Sequence, residues 1–198
     1  AINYEKACNL GMAKSCGYAS ELFKDDANIF KDLKKAIEFA KKGCDLKDGK
    51  SCFILGDRYG EGDGIKKDLK EANKYYQKAC DLGDKRGCYR LAVLLNSKSI
   101  NSKKDNETIV KSLTKSCDLG TPKACFELGE YYEDDPKMQS KANELFAKSC
   151  EQRFGLACYK LADFYGEKND AASQKSYLEL ACKYRYKVAC EEVGEDKK

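Results

Sequence analysis

The stretch ANKYYQKACDLGDKRGCYRLA, residues 72–92, contains the pattern that decides the fold. Small and aromatic residues before Cys80 recur at the spacing of one face of an α-helix. After a break at 82–84, a second helical pattern begins at Cys88, with Leu three residues later and a small residue after that. The stretch therefore predicts two helices, here A and B, joined by a short turn.

The same unit, Cys followed by seven residues and then Cys, occurs six times and uses all twelve cysteines. The pairs are Cys8 with Cys16, Cys44 with Cys52, Cys80 with Cys88, Cys117 with Cys125, Cys150 with Cys158, and Cys182 with Cys190. Successive first cysteines are 36, 36, 37, 33 and 32 residues apart, a period typical of stacked helical hairpins. The sequence therefore predicts an all-α fold built as an α/α solenoid.

A period that runs from end to end predicts a single repeat array. The expected repeats are 1–28, 29–64, 65–101, 102–135, 136–169 and 170–198. Only seven residues precede Cys8, too few for a full helix A, so the first repeat is expected to be truncated and the array to continue before residue 1. The polar end of the last repeat is expected to cap the stack.

The cysteine spacing bears on how the thiols are used. Eight residues of one helix advance about 12 Å, whereas a disulfide needs α-carbons within about 7 Å. If the chain reverses between the cysteines, a bridge becomes possible, and each would contribute about 2.5 kcal/mol. Metal binding and reactive thiols are the alternatives, but the chain has no His and no Cys pair separated by two residues.

Composition limits the classes of function. The 37 basic and 33 acidic residues are interspersed, which favours a solvated surface over nucleic-acid binding. No apolar run is long enough to span a membrane. Fully paired cysteines favour an oxidising compartment, so we expect a periplasmic or secreted protein whose signal peptide was removed before residue 1.

Two further patterns predict local structure. Gly56 and Gly129 occupy one position of helix B, where glycine costs about 1 kcal/mol against alanine, so we expect close helix crossings there. Thr121-Pro122 and Asp135-Pro136 each read as an N-cap followed by proline at the first helical position. They predict the starts of helix B in the fourth repeat and helix A in the fifth.

Catalytic motifs are sparse. Without His, the usual triads of nucleophilic catalysis are excluded. Ser112-Leu113-Thr114-Lys115 resembles the Ser-x-x-Lys motif of serine β-lactamases and penicillin-binding proteins, but the partner motifs Ser-Asp-Asn and Lys-Thr-Gly do not occur. No catalytic, metal or cofactor residue is therefore assigned.

The string Ala-x-x-Tyr-x-x-Lys-Ala-Cys-Asp-Leu followed by Gly-Cys-Tyr-x-Leu-Ala, with cognates at 36–56 and 109–129, resembles the SEL-one-like repeat. More narrowly it resembles the Helicobacter cysteine-rich proteins. That resemblance implies a right-handed, tetratricopeptide-like superhelix, a disulfide between helices A and B of each repeat, and secretion. Some members carry a penicillin-binding or weak β-lactamase label, for which no defined motif transfers to these residues.

We therefore expect a monomeric adaptor without a cofactor that binds a protein or peptide in a concave groove lined by helix A. A β-lactam-binding enzyme and a structural scaffold of the cell envelope are the alternatives. The expected binding residues are exposed helix A positions beside the core stripe. They are Glu38, Lys41, Lys74, Tyr75, Lys78, Glu144 and Lys148.

Overall fold

A computed structural model describes residues 2–24, 32–97 and 103–194. Within these ranges the chain forms twelve α-helices and no strand. The helices are α1 Ile2–Asn9, α2 Ala13–Lys24, α3 Leu33–Asp45, α4 Gly49–Glu61, α5 Leu69–Asp81, α6 Lys85–Ser97, α7 Lys103–Asp118, α8 Pro122–Glu133, α9 Gln139–Glu151, α10 Gly155–Glu167, α11 Ala171–Lys183 and α12 Lys187–Val193. The all-α prediction is confirmed.

Odd-numbered helices are the A helices and even-numbered helices are the B helices of six hairpins. Two helices fall in each predicted repeat range, whose boundaries stay a prediction. The chain divides into two compact units, unit 1 at 1–116 and unit 2 at 117–198. The B helices α2, α4, α8 and α10 each pack most extensively against the A helix of the following hairpin. At these four junctions the core therefore extends from one hairpin into the next.

Every hairpin is closed by a disulfide at its turn, and the bonded α-carbons lie 4.4 to 4.8 Å apart. The six bonds join Cys8 to Cys16, Cys44 to Cys52, Cys80 to Cys88, Cys117 to Cys125, Cys150 to Cys158, and Cys182 to Cys190. All twelve cysteines lie in the described ranges, and none is free.

These bonds settle how the cysteines are used. Each predicted pair is bonded, so the chain reverses between the two cysteines of every unit, as the spacing predicted. A sulfur held in a disulfide has no thiolate to offer as a metal ligand or a nucleophile. The metal and reactive-thiol alternatives for the cysteines are therefore wrong.

Aspartates fix the starts of several helices. Asp32, Asp48, Asp68 and Asp170 each accept a hydrogen bond from a backbone N–H of the first helical turn. Asp84 does the same for α6 through the N–H groups of Arg86 and Gly87. Such a cap stabilises a helix by about 1 kcal/mol, since it pairs a donor that the helix leaves free.

The turn of each hairpin contains one residue with left-handed backbone, three positions after the first cysteine. Glycine fills this position in three hairpins, as Gly11, Gly83 and Gly120. Lys47, Arg153 and Arg185 fill it in the other three, with φ of 63°, 67° and 66°. Residues with a β-carbon are disfavoured in this conformation by about 1–2 kcal/mol, so three hairpins keep a basic side chain where glycine fits the backbone better.

The two helix starts predicted from the prolines have different outcomes. Thr121 and Pro122 lie at the N-cap and first position of α8, as predicted. The prediction for Asp135-Pro136 is wrong, because α9 begins at Gln139. The carboxylate of Asp135 accepts from the N–H of Lys137, and its carbonyl accepts from the N–H of Met138. These bonds close a separate turn, which delays the helix by three residues.

The recurring glycines of helix B lie against aromatic rings. A β-carbon on Gly56 would lie 2.5 Å from Cδ1 of Tyr76, and one on Gly129 would lie 2.6 Å from Cε1 of Phe146. Both rings are buried. The close crossings predicted from these glycines are therefore confirmed, and the group that excludes the β-carbon is the ring of the next A helix.

Disulfide removal should weaken the fold by a predictable amount. We expect Cys150→Ser with Cys158→Ser to lower the free energy of unfolding by about 2.5 kcal/mol, because a short closed loop is lost from the unfolded chain. Urea unfolding measures this loss of stability, and the Cys44→Ser with Cys52→Ser variant is a control that removes a closed loop of equal length.

Peptide mapping of the native chain without reductant should find six links, each inside one hairpin. A free thiol or a link between hairpins would contradict the fold.

The crossing at Gly129 can be tested by a double-mutant cycle. Gly129→Ala should destabilise the chain by up to about 2 kcal/mol, because an overpacking cost of about 1–3 kcal/mol outweighs a gain of about 1 kcal/mol in helix propensity. Phe146→Leu removes the ring that the new methyl would meet. The double variant should then unfold at higher urea than Gly129→Ala alone, and simple additivity of the two losses would refute the proposed contact.

Candidate functional site

A groove of about 500 Å³ lies in unit 2, between α9, α10 and α11. Its lining residues are Gln139, Ser140, Asn143, Glu144, Ala147, Leu161, Phe164, Tyr165, Lys168 and Tyr177. One wall comes from an A helix, the floor from the end of the B helix, and the other side from the next A helix. The groove is thus a product of hairpin stacking.

The aromatic floor follows a repeated packing rule. Tyr165 and Tyr177 stack with ring centroids 5.4 Å apart and planes 7° from parallel. Phe164 meets the edge of the Tyr165 ring at 5.3 Å, and the ammonium of Lys168 lies 5.7 Å from the Phe164 centroid. The floor therefore offers a flat apolar surface with a cation beside it.

Equivalent ring pairs occur in unit 1. Phe23 stacks on Phe39 at 5.7 Å, and Tyr59 stacks on Tyr75 at 5.5 Å. In each pair the first ring comes seven residues after the second cysteine of a hairpin, and the second comes five residues before the next first cysteine. The stacked pair therefore recurs at three junctions between hairpins, and the groove of unit 2 is built on one of them.

The wall from α9 carries polar groups at helical spacing. Gln139 and Asn143 are four residues apart and Ser140 and Glu144 likewise, so these side chains line one side of the groove. Burial raises the pKa of the Tyr177 phenol, and Tyr165 and Glu151 raise it further, so the phenol is neutral near pH 7. The groove combines amide and hydroxyl hydrogen-bonding groups with a neutral aromatic floor.

The structure separates the predicted binding residues of α9. Glu144 is exposed and lines the groove. Lys148 is not among the lining residues, and its ammonium lies 2.8 Å from a carboxylate oxygen of Asp118.

In unit 1, three of the predicted residues come together on α5. The ammonium groups of Lys74 and Lys78 lie 5.8 and 5.3 Å from the centroid of the Tyr75 ring. The Lys74 ammonium also pairs with the carboxylate of the half-buried Glu71 at 3.2 Å. Glu38 and Lys41 are exposed on α3. As binding residues, all seven stay predictions.

Sequence reasoning missed the groove floor because it considered only helix A. Phe164, Tyr165 and Lys168 come from the end of helix B, and Tyr177 from the following hairpin. The aromatic residue seven positions after the second cysteine was a usable signal. Its partner could be found only by pairing that position with the next A helix.

The Ser-x-x-Lys match does not have the geometry of a nucleophile site. The Ser112 side chain is buried, with 4% of its surface exposed. The ammonium of Lys115 donates to the backbone carbonyl of Asp81 at 3.4 Å. Nothing in this arrangement presents the hydroxyl to a substrate.

Acidic clusters and long apolar helices bear on two other classes of function. Across residues 2–24, 32–97 and 103–194, no group of three or more Asp, Glu, His or Cys side chains is placed to hold a metal ion. In the same ranges, no helix is both long and apolar enough to cross a membrane.

The sequence profile of the Sel1 repeat matches four segments, residues 16–48, 49–84, 122–154 and 155–183, which together exceed half of the chain. The chain belongs to the Sel1 repeat family. A comparison with curated proteins found no match.

Two solved structures support the fold of this Sel1 repeat chain, and a third is similar to it in sequence. A Sel1 repeat protein from Oxalobacter formigenes superposes with a TM-score of 0.75, at 21% identity over 91% of this chain and 76% of that one. YrrB, a tetratricopeptide protein with an unusual peptide-binding site, has a TM-score of 0.53 at 19% identity over 96% and 97% of the chains. Helicobacter pylori cysteine rich protein B is 33% identical over 62% of this chain and 92% of its own, with a TM-score of 0.49.

The family, the fold and the disulfides bear on the general type of function and on the location of the protein. Sel1 repeats form tetratricopeptide-like solenoids, a fold consistent with protein–protein interaction. The six disulfides indicate an extracytoplasmic location, because cytosolic thiols are kept reduced.

The β-lactam alternative can be tested directly at Ser112. We expect the intact mass of the oxidised protein to stay unchanged after incubation with benzylpenicillin, because the hydroxyl is buried. Ser112→Ala should behave identically. A mass increase of one penicilloyl group on the native chain that Ser112→Ala abolishes would contradict this expectation.

Proposed function

We propose that this Sel1 repeat chain is a periplasmic or secreted adaptor that binds an extended peptide segment of a partner protein in the groove of unit 2. The groove itself supports the proposal most strongly, because three helices converge on it with an aromatic floor and a hydrogen-bonding wall. No catalytic constellation is needed for this role.

The dimensions of the groove suit a short extended segment. From Gln139 to Ala147 the α9 wall runs eight residues, or about 12 Å. An extended chain rises about 3.3 Å per residue, so three to four residues would lie along this wall. The amides of Gln139 and Asn143 can both donate to and accept from peptide groups. The stacked rings of Tyr165 and Tyr177 would contact an apolar side chain of the ligand.

The predicted residues of unit 1 form a second contact surface in this proposal. Tyr75 stacks on Tyr59 as Tyr177 stacks on Tyr165, and Lys74 and Lys78 flank its ring. Glu38 and Lys41 on α3 complete the set. Lysines beside an aromatic ring favour a partner with acidic and apolar residues together.

The location and assembly state belong to the proposal. Six closed disulfides are expected where thiols are oxidised, so we assign the chain to the periplasm or the extracellular medium. We expect it to act there as a monomer. Peptide mapping of the protein isolated from those fractions of its source cells should find the same six bonds.

Selection from a random peptide library on the immobilised oxidised chain tests groove binding. Affinities of the selected peptides can be measured by fluorescence anisotropy. We expect Asn143→Ala and Glu144→Gln each to weaken binding at least fivefold, because the first removes an amide from the wall and the second removes a carboxylate charge. Circular dichroism and urea unfolding verify that each variant is folded.

Asp163→Asn is the matched control for Glu144→Gln. It also removes one exposed carboxylate from unit 2, but Asp163 lies on α10 outside the groove lining. This variant should bind the peptides as the native chain does. Equal weakening of binding by Glu144→Gln and Asp163→Asn would refute the groove as the peptide site. Unchanged binding in both Asn143→Ala and Glu144→Gln would also refute it.

A further inference from the structure

A second cavity lies in unit 2 at the turn end of the last two hairpins. It measures about 410 Å³ and is lined by Arg153, Lys183, Tyr184 and Arg185. Three of the four residues are cationic and none is acidic. Together these four residues form a basic cluster.

The cations of the basic cluster have no counter-ion within the described part of the chain. Arg153, Lys183 and Arg185 form no ion pair with any residue that the structure describes. In contrast, Lys187 lies 3.5 Å from the carboxylate of Glu191, and Lys148 pairs with Asp118. Like charges around one cavity repel, and an anion placed between them would remove that repulsion.

Both arginines occupy the left-handed position of their turns. Other hairpins place Gly11, Gly83 and Gly120 there, which that backbone accommodates more readily. The fold therefore does not require a side chain at this position. An unfavourable backbone conformation that carries a specific side chain is a reason to look for a role of that side chain.

The neighbouring N-cap position shows a matching change. In the second and third hairpins, Asp48 and Asp84 occupy it and bring a negative charge to the turn end. In the last two hairpins Phe154 and Tyr186 occupy it, and neither makes a side-chain cap hydrogen bond. The turn ends of the last two hairpins thus combine an arginine with an N-cap residue that carries no carboxylate.

We propose that the basic cluster binds the carboxylates of an acidic peptide segment. Arginine presents a planar fork of N–H groups that matches a carboxylate with two hydrogen bonds, and two such forks and an ammonium surround this cavity. The Tyr184 ring adds an apolar face to the same cavity. This site is distinct from the groove and does not depend on a peptide occupying it.

Fluorescein-labelled hexaglutamate is the probe, titrated with the full oxidised chain and followed by anisotropy. We expect binding that weakens as salt rises from about 20 to 200 mM, because the contacts are ionic. Arg153→Gly with Arg185→Gly should weaken binding at least tenfold. Glycine suits the left-handed backbone, so this variant should keep its helical spectrum and urea midpoint, and Arg153→Gln with Arg185→Gln is a second variant with the same expected loss.

Lys6→Ala with Lys47→Gly is the matched control. It removes two positive charges from unit 1, one of them at the same left-handed turn position. This control and Glu144→Gln of the groove should both keep full hexaglutamate binding, so the test is independent of groove function.

Three outcomes would overturn the proposal. They are no binding to the native chain, equal loss in the Lys6 and Lys47 control, and undiminished binding in both arginine double variants. Sedimentation with phosphatidylglycerol vesicles is the competing arm. Vesicle binding that requires Arg153 and Arg185, without binding of hexaglutamate, would assign the cluster to a lipid surface instead.

Discussion

The covalent bond between cysteines eight residues apart is the constraint on which the fold depends. Two helices of 7 to 16 residues cannot bury enough surface to be stable as an isolated pair. The disulfide fixes the turn end of each hairpin, so only the orientation of hairpins relative to their neighbours is left for packing to determine. Because the disulfide fixes the turn and packing sets only the orientation of hairpins, the cysteine spacing is constant at eight while the repeat length varies from 37 to 32 residues.

Packing between hairpins follows a second rule, which conserves volume across the crossing. Gly56 and Gly129 face the rings of Tyr76 and Phe146. At the equivalent sequence positions of two other hairpins, alanine replaces the glycine as Ala92 and Ala162, and leucine replaces the ring as Leu113 and Leu178. At these four pairs of positions a smaller residue on helix B thus goes with a larger one on the next helix A, as expected if such crossings are filled to similar density.

Much of this fold could be predicted because the pattern repeats. Periodicity predicted the helices, cysteine spacing predicted the reversal, and glycine in helix B predicted the crossings. The start of α9 was missed because Asp135 caps a local turn rather than a helix, a choice between two hydrogen-bonding patterns that share one sequence signature. The groove was missed because its floor and walls come from three helices, which requires knowing how one hairpin stacks on the next. The ion pair of Lys148 with Asp118 could not be predicted either, because helical spacing within one hairpin does not show which side chain of a neighbouring hairpin lies beside it.

A repeat protein can acquire binding specificity only at positions that the repeat leaves unconstrained. A core residue at a crossing contacts the neighbouring hairpin, so changing it requires a compensating change there, as the glycine and ring pairs illustrate. Residues at the turns and along the outer edge of the A helices contact solvent and can vary singly. Gly83 and Arg153 hold the same left-handed backbone in equivalent turns, yet only the arginine adds a charge. Differences between hairpins at such positions, rather than the features that the hairpins share, therefore determine what each part of this surface can bind.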